Sequence, residues 1–175
     1  TEGTHGKHPA ASMIYSSQII ADKDLENQYE VKGKAIPKDK SYLEVISGGP
    51  TQFTSFKTQS YNKTNGIDPK FKRAVDQDLY FKLEEVGELV YVDKPLYIYR
   101  QGTNNNISLG KNNSRKALCW DLLAMVDACS RRKMSIDKYA FDHVLREMDV
   151  IADQAAYDKE LEIRSSKTYR VGYMI

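Results

Sequence analysis

The chain has 175 residues, 41% of them hydrophobic and 29% charged, with 26 basic and 24 acidic side chains and a net charge of +2. That length suits one domain with a sizeable core. The near-balance of charge supplies no field for nucleic acid, and no apolar run reaches the ~18–20 residues of a membrane span. The opening Thr1–His8 lacks an apolar core, so no signal peptide is expected.

His8-Pro9 reads as a turn before the first strand. Ser12–Ala21 is rich in β-branched and aromatic residues and predicts a strand. From Asp22 to Pro50 the pattern weakens into a long loop marked by Gly33, Pro37 and Gly48-Gly49-Pro50, with a short helix near Tyr42–Ile46. A loop of that length inside a compact domain is more often functional than idle. Gln52–Lys57 alternates and reads as a short strand. Thr58 is placed to cap a short helix through Thr64, and Gly66 supplies a left-handed position after it.

Asp76–Val86 predicts a helix closed by Gly87. Glu88–Val92 and Leu96–Arg100 read as two strands joined by a turn at Asp93-Lys94-Pro95. Gly102 and Asn104–Asn106 belong to a polar loop. From about Asn113 the period becomes helical, with Ala117, Trp120, Leu123, Ala124, Val126 and Cys129 near i, i+3, i+4, i+7 spacing. Arg131-Arg132-Lys133 suit the last turn of that helix. Ser135 opens a second helix with Tyr139, Phe141, Val144, Leu145, Met148, Ile151 and Ala152 on its apolar side. The two helices are expected as an antiparallel hairpin covering a sheet.

Cys119 and Cys129, ten residues apart on one helix, stand roughly 15 Å from each other, too far for a disulfide. Asp22-Lys23-Asp24 spells an Asp-x-Asp but reads as a solvated loop. His5, His8 and His143 form no ligand set, and His143 reads as a surface or partly packed residue. Trp120 and the Tyr-rich strands have the shape to stack on sugar rings, with core packing the commoner use.

Asp76 and Asp78 are the chain's most informative pair. Asp76 is an N-cap by its local sequence, with Val75 and Tyr80 able to staple the chain entry. Asp78 suits the positive end of the helix dipole. A carboxylate held at a loop–helix junction also suits a general base. The two readings are compatible, one Asp capping while the other faces a cleft.

Several segments in their order resemble a known family: Met13-Ile14-Tyr15-Ser16, Asn65-Gly66-Ile67-Asp68, Ala74-Val75-Asp76-Gln77-Asp78-Leu79, Lys82–Gly87 and Val90–Arg100. Over roughly residues 8–108 this order is similar to the acceptor-binding half of a family-two glycosyltransferase with the GT-A fold. The helical tail, with Ser165–Gly172, is similar to the C-termini of bacterial polysaccharide-type members. The resemblance implies an α/β fold: a partial GT-A-like mixed sheet with flanking helices over residues 1–110, and a C-terminal helical extension over 111–175.

By resemblance Asp76 is the catalytic base of an inverting transfer from a nucleotide-sugar to a glycan or lipid-linked acceptor. Asp78 and Gly66 support the helix start or touch the acceptor. Where the family often has an acidic residue before the base, this chain has Val75. Where many members place a His after the Tyr-Arg strand end, Gly102 stands, leaving Arg100, Gln101 and the Asn104–Asn106 run as the polar candidates, with Arg100 able to pair with a diphosphate. A surface or sheet-edge arginine is the equal alternative for Arg100.

The resemblance also implies that the nucleotide-binding half and its Asp-x-Asp metal motif would precede Thr1. A divalent metal, Mn or Mg, is then expected in a full-length parent and none on this segment, which would be inactive alone. The parent's expected place is cytoplasmic, at or near the inner face of the membrane, as a peripheral protein or homo-oligomer. The alternative is a non-catalytic interaction or oligomerisation module.

Overall fold

The computed structural model describes residues 2–45, 49–50, 53–101 and 111–165. Gly48, Gly102, Asn104–Asn106 and the closing 166–175 lie outside them. After the short α1 (Glu2–Lys7) comes β1 (Ala11–Ala21), the spine of a four-stranded mixed sheet. Nine of its eleven residues are buried. A strand covered on both faces cannot alternate polar and apolar residues. Its small polar side chains are instead bonded: Ser12 Oγ donates to the Glu88 carbonyl at 3.1 Å, and Ser17 Oγ meets Tyr91 Oη at 2.6 Å.

One edge of β1 carries two short antiparallel partners. β3 (Thr54–Phe56) faces Met13–Tyr15 and β2 (Tyr29–Val31) faces Gln18–Ile20. The other edge carries β4 (Glu88–Arg100), parallel to β1 along its whole length. The expected pair of strands with a turn is therefore a single strand. Ser16 faces Val92 while Ser17 faces Pro95, so Asp93 and Lys94 bulge out. Pro95 has no N–H to give a ladder, and a bulge on an outer strand accommodates it. β2 had no expectation in the sequence, because three residues, two of them exposed, show no usable period.

The 3-10 turn Tyr42–Glu44 lies in the long loop, and α2 (Thr58–Tyr61) follows β3. Lys57, not Thr58, holds the N-cap of α2, without a side-chain bond. Gly66 takes the left-handed conformation, φ +65°.

α3 (Val75–Glu84) packs on β1, and α4 (Lys111–Arg132) packs on α3 and on α5 (Asp137–Ser165). The C-terminal hairpin thus rests chiefly on α3 rather than on the sheet. The core runs through these layers: Met13 and Tyr15 of β1, Leu79, Phe81 and Leu83 of α3, Ala124, Met125 and Ala128 of α4. Trp120 packs its ring on Phe71 at 6.0 Å, and His143 is buried rather than superficial. Cys119 is exposed, Cys129 is buried, and both are free thiols. Among the described residues no helix is long and apolar enough to cross a membrane.

Candidate active site at the start of helix α3

Ala74 is the N-cap of α3, in the left-handed region at φ 53°, and it caps without a side-chain bond. Asp76 is therefore the second residue of the helix, not its cap. Its exposed carboxylate accepts a 3.0 Å bond from the Gln77 backbone N–H. A negative group in the first turn is favoured by the helix dipole.

The surroundings are phenolic and amidic. Tyr42 Oη donates to Gln77 Oε1 at 2.9 Å, and Tyr80 Oη lies 3.3 Å from Thr54 Oγ1 on β3. Burial pushes the Tyr80 phenol up to about 12, and the Asp76 charge adds to that push. Burial likewise drives the Tyr42 phenol far above its ordinary range, with contributions from Tyr80 and Asp76. Both hydroxyls are protonated at neutral pH.

Two residues at about 100° each separate Asp76 from Asp78, which puts them on opposite sides of the helix. Asp78 is 1% exposed. Lys82 Nζ pairs with its Oδ2 at 2.5 Å, and Arg131 Nη1 stands 3.6 Å from its Oδ1. The same Lys82 ammonium donates to the Gly66 carbonyl at 2.9 Å. Gly66 and Asp78 thus belong to one buried ionic cluster joining the 65–68 loop, α3 and α4. Arg131 and Arg132, which read as helix-end cations, also clasp Glu84, the last residue of α3, and its C-cap Glu85. Nothing local signals those pairs, since the partners are 46 to 48 positions apart.

Arg100 is brought to neither cluster. It lies opposite Ala21, whereas Thr54, at the Asp76 side, lies opposite Tyr15. Six residues of β1 span about 20 Å. Arg100 is exposed, and the Gln101 N–H donates to the Ala21 carbonyl at 2.8 Å.

Asp22, of the Asp-x-Asp stretch, accepts bonds from the Asn27 side chain and the Asp24 and Glu26 amides. The Asn27 bond leads in holding its carboxyl below the usual range. Among the described residues no group of three or more His, Cys, Asp or Glu is placed to hold a metal. The divalent ion that the resemblance implies therefore has no ligand set among them.

Parts of the chain are similar to two curated proteins. A chondroitin synthase of Escherichia coli is 35% identical over 66 residues, 38% of this chain and 9% of that protein. A chondroitin synthase of Pasteurella multocida (strain Pm70) is 27% identical over 117 residues, 63% of this chain and 11% of that protein. These partial likenesses support a glycosyltransferase relationship. No protein-family model matches the chain. The chain spans about a tenth of the length of the curated relatives it matches.

Proposed function

We propose that this chain supplies the acceptor side of an inverting, family-two-type glycosyltransferase with a GT-A-like fold, and that Asp76 is its base. The acceptor would be a growing polysaccharide, and the donor a nucleotide-sugar. Asp76 takes the proton of the acceptor hydroxyl as that oxygen bonds to the anomeric carbon. The bond from that carbon to the diphosphate breaks, the nucleoside diphosphate leaves with the electron pair, and the anomeric configuration inverts. A divalent metal, when bound elsewhere in a full-length protein, would offset the charge of that leaving group.

The observation that carries the reading is the exposed Asp76 carboxylate on the first turn of α3, bonded to its neighbour's backbone amide and set beside protonated phenols. The buried Asp78 is already committed to Lys82. The test is Asp76→Asn in the full-length protein. Removing a general base costs about 10²–10⁴ in turnover. Transfer should fall by at least that lower figure while nucleotide-sugar binding, read by calorimetry, stays within twofold. Retained turnover makes Asp76 a helix-start residue only.

A second reading, an interaction module, has one observation in its favour. Phe141, Leu145, Met148 and Ile163 of α5 are each more than half exposed. At about 100° per residue they fall within one narrow arc of the helix. Sedimentation of the chain with Leu145→Glu and Met148→Glu separates the readings. A partner-docking module loses its association, and a transferase keeps its transfer.

A further inference from the structure

The Asp76 carboxylate is exposed, so its direction depends on what holds Gln77, the residue that donates to it. Gln77 is held by one buried side chain from the long 22–50 loop. Tyr42 is 1% exposed, with its ring 6.4 Å from that of Tyr80 and 5.2 Å from that of Phe81. Gly49 lies so close that a Cβ there would come within 2.4 Å of the Tyr42 ring. Packing on these sides leaves the ring little room to turn.

From that seat Tyr42 grips α3 twice. Its phenol donates to Gln77 Oε1 at 2.9 Å, and its backbone N–H donates to Glu84 Oε1 at 2.5 Å. Gln77 and Glu84 are two turns apart, about 10 Å along the axis. One residue of the 3-10 turn therefore splints the helix from its first turn to its last. The Gln77 amide also keeps its Nε2 buried and without a partner among the described residues. A buried donor left unbonded is costly.

We propose that Tyr42 and Gln77 are positioning residues for Asp76. Tyr42 fixes the Gln77 side chain, and Gln77 holds the carboxylate through its own N–H. The inference rests on the reading of Asp76 as the base. It gives the long loop a task, which is to set the direction of the proton acceptor without touching substrate.

The test is Tyr42→Phe in the full-length protein, which deletes only the hydroxyl and keeps the ring packing. The expected result is a fall in kcat of about tenfold or more. KM for donor and acceptor stays within twofold. Gln77→Met is expected to give the same fall, and the double variant to be no worse than either single one, as for residues acting in series. A Tyr42→Phe protein with wild-type kcat and a lowered melting temperature overturns the proposal and leaves the splint a folding device. Multiplying losses in the double variant overturn it too. Asp76→Asn keeps the two levels apart. If it abolishes transfer while Tyr42→Phe does not, only the positioning falls. If it leaves transfer intact, the assignment of the base falls as well.

Discussion

Asp78→Asn puts the buried ionic cluster to a quantitative test. The substitution keeps the size of the side chain and removes its charge. Asp78 is 1% exposed and Lys82 7%, and their 2.5 Å bond is the ammonium's charged contact. Arg131 keeps Glu85 at 3.0 Å, so the loss falls on Lys82. Removing one partner of a buried pair costs about 3–5 kcal/mol, because the other charge stays buried without compensation. The Gly66 carbonyl still accepts from the ammonium, which places the expected cost near the lower end, about 3 kcal/mol. For a domain whose whole stability is about 5–15 kcal/mol, that is a large share. With a urea m-value of about 1.5 kcal/mol/M the midpoint drops by about 2 M. Trp120 fluorescence and far-ultraviolet circular dichroism of the chain, followed through urea, read the shift. The companion Asp78→Leu/Lys82→Met protein, with both charges replaced by apolar groups, should lie within about 1 kcal/mol of wild type. A single variant within about 0.5 kcal/mol of wild type would show instead that the pair is effectively solvated.

Two backbone positions give opposite expectations. Gly66→Ala forces φ +65° on an L side chain and sets a Cβ 2.8 Å from Tyr61 Oη, so it should destabilise by about 1–2 kcal/mol. Ala74→Gly relieves a left-handed non-glycine and should be neutral or stabilising by up to about 1 kcal/mol, both read by chemical denaturation. Alkaline pH is the third case. Burial raises the Tyr15 and Tyr80 phenols from 10 to about 12, so the fold prefers their neutral forms. Their contribution is complete below pH 10, the unfolded value, and is lost as pH climbs towards 12. Stability should fall by about 1.4 kcal/mol per pH unit for each phenol in that window. Phenolate absorbance tracks the ionisation, and Tyr80→Phe should flatten the slope.

The longer helices α3, α4 and α5 and the central strand were legible because each carries its own period or composition, whereas α1 was not read from the sequence. β1 reads as a strand from Met13, Ile14, Ile19 and Ile20, and α4 from its 3.6-residue spacing. Gly66 was legible too, since few other residues tolerate the left-handed region. Asp93-Lys94-Pro95 misled because a bulge and a turn use the same residues, and only pairing with β1 decides between them. The cap of α3 was illegible for a related reason. Asp is a far commoner cap than a left-handed Ala, yet Ala74 holds the cap and Asp76 falls one residue inside the helix. At the candidate site, Asp76 and Asp78 stand out by type and spacing, while the role of base comes to Asp76 only through the family resemblance. Tyr42 does not stand out, because its bonds to α3 lie 35 and 42 residues away.

The parallel pairing of β1 with β4 has a consequence for how the chain is made. Ser12 on β1 bonds to Glu88, 76 residues later. A ribosome adding about 5–20 residues per second needs several seconds or more to deliver that partner. Until then β1, buried on both faces in the finished molecule, has only β2 and β3 as strand partners, three residues each, with α3 packed on it. Pairing of such high contact order is slow even once the chain is complete. The half-made chain thus leaves one whole edge of its most buried strand unpaired until β4 is made. Products ending before Arg100 should be the ones that chaperones hold and that aggregate first, and expression trials should set their boundaries beyond β4.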